Sequence, residues 1–121
     1  MIDQLEKLEV NGSQQWLLIR GQSADLPIVL FVHGGPASPL MCFSRAFDDV
    51  FLRDFLVVHW DQRNSGKSFD ANQSLKTFTA DQVAKDGIAV VEHLKKKFNQ
   101  SKVILVGHSW GSIVAAYMAK A

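Results

Sequence analysis

The 121-residue sequence has one cysteine, Cys42, and only three prolines. A single thiol excludes an internal disulfide, so packing and hydrogen bonds have to hold the fold together. The neighbours Met41 and Phe43 are apolar, which predicts that Cys42 is a small buried hydrophobic residue rather than a nucleophile. No apolar run approaches the ~18 residues that a membrane-spanning helix requires.

Net charge is also nearly absent. The 13 basic and 12 acidic side chains leave a formal charge of +1, which argues against a nucleic-acid-binding or membrane-surface protein. A content of 47% hydrophobic and 21% charged residues is typical of a globular protein and excludes a disordered one. Residues 1–7 contain Asp3 and Glu6 and lack the apolar stretch of a secretory signal. We therefore expect a cytoplasmic protein.

Residues 107–111 read Gly-His-Ser-Trp-Gly and fit the pattern G-x-S-x-G. In this pattern a strand turns sharply into a helix, and the turn lifts the serine hydroxyl clear of the backbone. Residues 102–106, a lysine followed by four apolar residues, predict the strand, and residues 112–119 predict the helix. A Cβ at Gly107 or Gly111 would clash, because strand and helix approach closely at such a turn. The pattern predicts Ser109 as a nucleophile.

A glycine pair, Gly34 and Gly35, follows the apolar residues 27–32 and His33. Glycines let the backbone turn with its N–H groups pointing into open space. A serine that attacks a carbonyl needs two such donors, because an oxyanion develops in the transition state. We predict the backbone N–H of Trp110 as one donor and that of Gly35 as the other, with Gly34 as the alternative. Taken alone, the pair is equally consistent with a tight turn.

Residues 61–68 read Asp-Gln-Arg-Asn-Ser-Gly-Lys-Ser and end like a phosphate-binding loop. That loop begins with glycine, whereas this segment begins with Asp61, whose carboxylate would oppose a phosphate. Residues 69–74 are mostly polar and predict a loop rather than the apolar helix that such a loop needs. Nucleotide binding is therefore the less favoured hypothesis. We expect a structured turn in which Asp61 and Arg63 pair locally and brace neighbouring loops.

In this order, HGGP (33–36), DQRNSGKS (61–68) and GHSWGS (107–112) resemble the α/β-hydrolase superfamily, and within it the proline iminopeptidase branch. The resemblance runs from residue 26 to residue 121. It implies acyl-enzyme chemistry at Ser109 without metal or organic cofactor, on a small peptide or another ester or amide. A proline iminopeptidase releases an N-terminal proline or a similar residue from a peptide. An esterase or amidase of the same fold is the alternative.

Two residues depart from the pattern of that branch. Ala37 and Asn64 stand where glycine is usual. Asparagine tolerates left-handed backbone conformations, so the second change is conformationally mild. The first bears on the oxyanion loop or on the pocket for the amino end of the substrate.

The acid and the base of the catalytic triad follow the serine in this fold, in the order Ser…Asp/Glu…His. Residues 110–121 contain no Asp, Glu or His. The four histidines, His33, His59, His93 and His108, all precede Ser109, and we expect packing or supporting roles for the first two. The segment thus carries the nucleophile and oxyanion half of a hydrolase, and we expect it to be nearly inert alone. A non-catalytic truncated fragment is the remaining alternative.

Residues 1–121 are predicted to form one partial domain, the N-terminal half of an α/β-hydrolase fold without its cap and C-terminal half. An antiparallel hairpin opens it, and a mostly parallel sheet with flanking helices follows. Asn11-Gly12 predicts the hairpin turn, and Thr79 with Gln82 predicts a capping box. Predicted strands are residues 5–10, 14–21, 28–32, 55–60 and 102–106, and predicted helices are 44–53, 79–98 and 112–119.

The fifth strand is interior in the complete fold, so its outer edge is expected to be free in these 121 residues. A free apolar edge invites pairing with another chain. We expect it to pair with the missing C-terminal half or to cause self-association.

Overall fold

The structure, a computed structural model, describes residues 2–33, 51–63, 79–107 and 110–120. These residues form five strands and two α-helices. The strands are β1 (Ile2–Val10), β2 (Ser13–Gly21), β3 (Ile28–Val32), β4 (Leu56–Asp61) and β5 (Val103–Gly107), and the helices are α1 (Ala80–Phe98) and α2 (Trp110–Lys120). The five predicted strands and the two predicted helices within the described ranges are confirmed, with ends that differ by up to three residues.

The helix predicted over residues 44–53 falls mostly outside the described residues. Its last three residues belong to a hydrogen-bonded turn, in which the N–H of Phe55 donates to the carbonyl oxygen of Phe51 at 2.9 Å. The described part of this segment is therefore a turn that leads into β4.

The strands form one sheet in the order β1-β2-β4-β3-β5. β1 and β4 pair antiparallel with β2, whereas β4 and β5 pair parallel with β3. The predicted antiparallel start and parallel continuation are confirmed. Because β3 lies between β4 and β5, the carboxyl ends of all three strands meet at one edge. Val32 stands opposite both Trp60 and Gly107 there.

The β1–β2 connection is the predicted two-residue turn. Asn11 and Gly12 have φ angles of +48° and +81°. A tight hairpin turn with positive φ at both central residues matches the twist of the flanking strands, and Asn-Gly adopts it at low cost. This turn places Asn11 against the buried cluster described below.

The core lies between one face of the sheet and the two helices. Alternate strand residues point to this face, because side chains alternate between the two faces of a strand. The buried strand residues here are Leu17, Ile19, Ile28, Leu30, Val32, Leu56, Val58 and Trp60, and the buried helix residues include Val83, Val90, Leu94, Val114 and Met118. Both helices therefore lie on the same side of the sheet.

The opposite face of the sheet is apolar as well. Val29, Phe31, Val57, Ile104 and Val106 line a groove of about 260 Å³, together with residues that precede β4. Ile104 and Val106 remain 47% and 39% exposed. No described strand pairs with the outer edge of β5. Within the described residues, the outer edge of β5 is therefore free, as predicted. Its pairing with a C-terminal half or with a second copy of the chain stays a prediction.

The predicted cap at the N-terminus of α1 is present at Thr79. The Oγ1 of Thr79 accepts a hydrogen bond from the backbone N–H of Gln82 at 3.1 Å, which satisfies an N–H of the first turn. The helix ends at Asn99 in a left-handed conformation, with its N–H donating to the carbonyl of Lys95.

Neither helix of the described residues is long and apolar enough to cross a membrane.

Glu6 of β1 connects the edge strand to the C-terminal part of α1. Its Oε1 lies 2.9 Å from the Nε2 of His93, and its Oε2 accepts a hydrogen bond from the Nζ of Lys97 at 3.0 Å. Partial burial by itself raises the pKa of this carboxyl. The bonds from His93 and Lys97 together outweigh that effect, so the pKa of Glu6 is lowered from its ordinary value of 4.5.

Glu6→Gln is expected to remove a pH-dependent part of the stability. Because the folded-state pKa is lowered, the carboxylate stabilises the fold above pH 4.5 and this contribution disappears as the pH falls through the folded pKa. The unfolding free energies of wild type and variant should differ at neutral pH and converge in acid, as measured by urea unfolding. Glu9→Gln, an exposed glutamate on the same strand, controls for loss of one charge. A wild-type–variant difference that does not change with pH would contradict the prediction.

Candidate active site

The predicted strand-to-helix junction is present. β5 ends at Gly107 and α2 begins at Trp110, and the two residues between them, His108 and Ser109, lie outside the described residues. A Cβ at Gly107 would lie 2.6 Å from the carbonyl oxygen of Gly111 and 2.8 Å from the Cα of Ser112. These distances are shorter than van der Waals contact, so the predicted clash at Gly107 is confirmed.

Gly111 brings the first turn of α2 against the end of β3. A Cβ at this position would overlap the carbonyl oxygen of Val32 and lie 2.5 Å from that of His33. Both obstacles are backbone atoms of a buried strand end, which have little room to move. The clash predicted at Gly111 is therefore confirmed too. The start of α2 touches the strand end that leads directly into the glycine pair.

The predicted oxyanion donors are only partly within the described residues. Gly34 and Gly35, like Ser109, lie outside them, so their roles stay predictions. Trp110 is the first residue of α2, and the first N–H groups of a helix have no acceptor within that helix. Its backbone N–H lies at the start of α2 without an acceptor in that helix, and its role as an oxyanion donor stays a prediction.

His33 links the carboxyl ends of β3 and β4. Its Nε2 accepts a hydrogen bond from the backbone N–H of Gln62 at 3.1 Å, and its carbonyl oxygen accepts one from the Nε2 of Gln62 at 3.2 Å. The two residues are 1% and 0% exposed. Since the Nε2 of His33 is an acceptor here, this nitrogen is not available as a general base. The predicted supporting role of His33 fits this position.

The other histidines within the described residues also have structural contacts. The ring of His59 stacks on Phe31 with centroids 4.9 Å apart and an interplanar angle of 14°, and it is 5% exposed. His93, in the C-terminal part of α1, contacts Glu6 of β1. His108 lies outside the described residues.

Arg63 is held by a residue that the sequence did not single out. Its Nε donates to the Oδ2 of Asp86 at 2.6 Å and its Nη2 donates to the Oδ1 at 3.1 Å, which is the two-point geometry that favours arginine with a carboxylate. Asp86 lies on α1 and is 0% exposed. Arg63 thus braces a helix rather than only its own turn. It also reaches the hairpin, where Nη2 donates to the carbonyl of Asn11 at 3.3 Å.

Asp86 is the centre of a buried polar cluster. Besides Arg63, three side-chain amides donate to its carboxylate at 3.0–3.1 Å, from Asn11, Gln15 and Gln82. Gln15 in turn accepts a hydrogen bond from the Nε1 of Trp60 at 2.7 Å. A buried charge is tolerated when it is paired and hydrogen-bonded in this way. The cluster joins α1, the hairpin and the segment after β4.

The sequence contained a signal for this cluster. Asp86 stands three residues after Val83 and four before Val90, so it falls on the apolar stripe of α1. A carboxylate at such a position requires a cationic partner, and Arg63 is the buried cation that fills this role. Only the identity of the partner needed the tertiary structure.

The alternative of a phosphate-binding loop gains nothing from the described residues. Arg63 is already paired with Asp86, and residues 64–68 lie outside the described ranges. Within the described residues, no group of three or more His, Cys, Asp or Glu side chains is placed to hold a metal ion. The expectation of a cofactor-free site stays a prediction.

Comparison with known proteins identifies the family. The profile of a family described as "alpha/beta hydrolase fold" matches residues 27–121. The chain belongs to this family. It is also 39% identical over 114 residues to a Bacillus subtilis (strain 168) protein named "Probable aminopeptidase YbaC".

Two solved structures are similar to most of the chain. A proline iminopeptidase-related protein from Thermus thermophilus matches 99% of it with 26% identity and a TM-score of 0.84. An epoxide hydrolase from Vigna radiata matches 98% with 27% identity and a TM-score of 0.78. The resemblance drawn from the three motifs is thereby confirmed.

The chain is much shorter than these proteins. The alignment with the Bacillus relative covers 94% of this chain but only 36% of that relative. The chain covers 41% of the Thermus protein and 35% of the Vigna protein. The chain therefore spans between 35% and 41% of the length of these three proteins.

Proposed function

We propose that the protein is a serine hydrolase that acts through an acyl-enzyme, with Ser109 as nucleophile and the N–H groups of Trp110 and Gly35 as oxyanion donors. The observation that carries this proposal is the contact of Gly111 with the carbonyl oxygens at the end of β3. It brings the first turn of α2, two residues after Ser109 in the sequence, against His33, the residue that precedes the glycine pair. A nucleophile and its oxyanion donors have to be neighbours in this way.

The reaction begins when the Oγ of Ser109 attacks a carbonyl carbon and its proton passes to a base. The Trp110 and Gly35 N–H groups stabilise the negative oxygen, the leaving group departs with a proton, and water then hydrolyses the ester. Because α2 begins beside Ser109, its positive dipole end favours the same negative charge. We propose that a histidine and an acid of the longer protein supply the base and its orientation, in the order Ser…Asp/Glu…His.

The substrate that we propose is a peptide from which an N-terminal residue such as proline is released. The support is the likeness to the Bacillus aminopeptidase and to the Thermus proline iminopeptidase-related protein. The likeness to an epoxide hydrolase raises epoxides as a second substrate class, and the proposed serine nucleophile argues against them. A serine that opens an epoxide forms an ether, and water does not hydrolyse an ether. A serine that attacks a carbonyl forms an ester, and water hydrolyses that ester to free the serine. Ser109 therefore favours acyl substrates.

A fluorophosphonate probe tests the nucleophile in the full-length protein. We expect covalent labelling, with the label found by mass spectrometry on the peptide that contains Ser109. A proline arylamide, a p-nitrophenyl ester and an aryl epoxide then separate the substrate classes, and we expect the arylamide to be turned over. Ester turnover without arylamide turnover would indicate the esterase alternative. Absence of any label on Ser109 would reject serine chemistry.

A further inference from the structure

Gln62 fixes the strand end from which the glycine pair continues. It follows β4 directly and contacts His33 twice, through its backbone N–H and through its side-chain amide. His33 is the residue before Gly34 in the sequence. The two contacts therefore hold both the ring and the carbonyl group of the residue from which the proposed oxyanion loop starts.

Within the described residues, the side chain of Gln62 makes one hydrogen bond, the one to the carbonyl of His33. Its Nε2 donates to the carbonyl of His33 at 3.2 Å, while its Oε1 is buried and has no hydrogen-bond partner within the described residues. A buried amide with an unsatisfied acceptor costs stability, and a Met side chain of similar length avoids that cost. The hydrogen bond to the His33 carbonyl is therefore the polar contact that the Gln62 amide contributes within the described residues.

The carbonyl that Gln62 holds is also the one that Gly111 approaches. The oxygen of His33 lies 2.5 Å from the Cβ position of Gly111 in the first turn of α2. One carbonyl group thus stands between the side-chain amide after β4 and the helix that begins beside Ser109. A small rotation of the peptide that follows His33 would turn the N–H of Gly34, which belongs to the same peptide unit, by a similar angle.

We propose that Gln62 is a positioning residue for the oxyanion loop. Its amide fixes the orientation of the His33 carbonyl, and through it the direction in which the backbone enters Gly34 and Gly35. Oxyanion donors act by being oriented before the charge develops, so the effect of Gln62 falls on the transition state rather than on substrate binding. This inference rests on the proposed serine hydrolase function.

The test compares Gln62→Met with Gln100→Met in the full-length protein. Gln100 is a matched control, since its Nε2 also donates to backbone carbonyls, those of Ala24 at 3.0 Å and Leu26 at 2.8 Å. These carbonyls lie before β3, at the opposite edge of the sheet from His33. Each variant loses hydrogen bonding from a side-chain amide to the backbone at one end of β3. Only Gln62→Met loses it at the end that leads into the proposed oxyanion loop.

We expect Gln62→Met to lower kcat about 10- to 100-fold, because displacement of a catalytic group by about 1 Å costs up to ~100-fold. KM should change by less than about 2-fold, since the contact matters only in the transition state. The rate of Ser109 labelling by the fluorophosphonate should fall with kcat. Gln100→Met should lower the melting temperature without changing kcat or the labelling rate.

Equal losses of kcat in the two variants, or none in Gln62→Met, would overturn the positioning role. If Gln62→Met does not accumulate as folded protein, Gln62→Asn is measured instead, because its shorter amide does not reach the His33 carbonyl. Wild-type protein that is not labelled at Ser109 would reject the proposed function and this inference with it. Labelled wild type with a fully active Gln62→Met would reject this inference only.

Discussion

Ser109→Ala is expected to lower turnover of acyl substrates by the full-length protein about 10⁴- to 10⁶-fold, the range seen when a serine nucleophile is removed. Alanine cannot form the acyl-enzyme, so only the oxyanion donors and substrate binding remain to accelerate direct attack by water. The place of the serine in the sequence supports the expectation. It stands between Gly107 and Gly111, both of which are packed against backbone atoms that leave no room for a Cβ.

Steady-state turnover of the substrate that wild type cleaves, with fluorophosphonate labelling in parallel, measures this effect. Ser112→Ala is the control, because Ser112 is an exposed serine in the first turn of the same helix. We expect the control to keep wild-type turnover and labelling. Activity of Ser109→Ala above about 1% of wild type would contradict nucleophilic catalysis at this position.

Breaking the buried Arg63–Asp86 pair is expected to have the largest effect on stability. Asp86→Ala leaves the guanidinium of Arg63, 4% exposed, without its carboxylate and removes the acceptor of three side-chain amides. Removing one partner of a buried ion pair costs about 3–5 kcal/mol, because the other charge stays buried without compensation. Urea unfolding monitored by circular dichroism measures the change in unfolding free energy.

A surface pair on the same helix is the matched control. Asp81 and Lys85 are 3.2 Å apart, with side chains 80% and 63% exposed. Such exposed pairs contribute about 0–1 kcal/mol, so Asp81→Asn should have a small effect. Similar losses for Asp86→Ala and Asp81→Asn would show that the Arg63–Asp86 pair does not carry the stability assigned to it.

Replacing both charged partners separates pairing from packing. Apolar residues of similar volume in place of a buried ion pair are often tolerated, because no unpaired charge remains. Arg63→Met combined with Asp86→Leu should therefore be more stable than Asp86→Ala alone. The single variants Arg63→Met and Asp86→Leu are measured beside it. A loss of unfolding free energy in the double variant equal to the sum of the two single losses would contradict direct coupling of Arg63 and Asp86.

Several parts of the fold followed from local patterns. β3 has the bounds predicted for it, 28–32, because a continuous apolar run there is bordered by Pro27 and by His33 with its glycines. The hairpin turn at Asn11 and Gly12 and the cap at Thr79 were predicted for the same kind of reason. Each depends on the conformational preferences of a few adjacent residues, which act in any fold.

Contacts between distant residues were predicted less well. The partner of Arg63 was expected within its own turn, whereas the structure places it at Asp86, 23 positions along the chain. The bonds between Gln62 and His33 join residues 29 positions apart and were not predicted. No local preference determines which side chains meet at the ends of neighbouring strands.

The sequence by itself determined the class of the fold, the junction with Gly107 and Gly111, and the serine that stands between them. Those features depend on apolar periodicity and on steric limits at single residues. The tertiary structure decided the order β1-β2-β4-β3-β5, and with it the meeting of β3, β4 and β5 at one edge. Only after the strands are ordered do Gln62, His33 and Gly111 become neighbours, because their proximity is produced by packing and not by their separation along the chain.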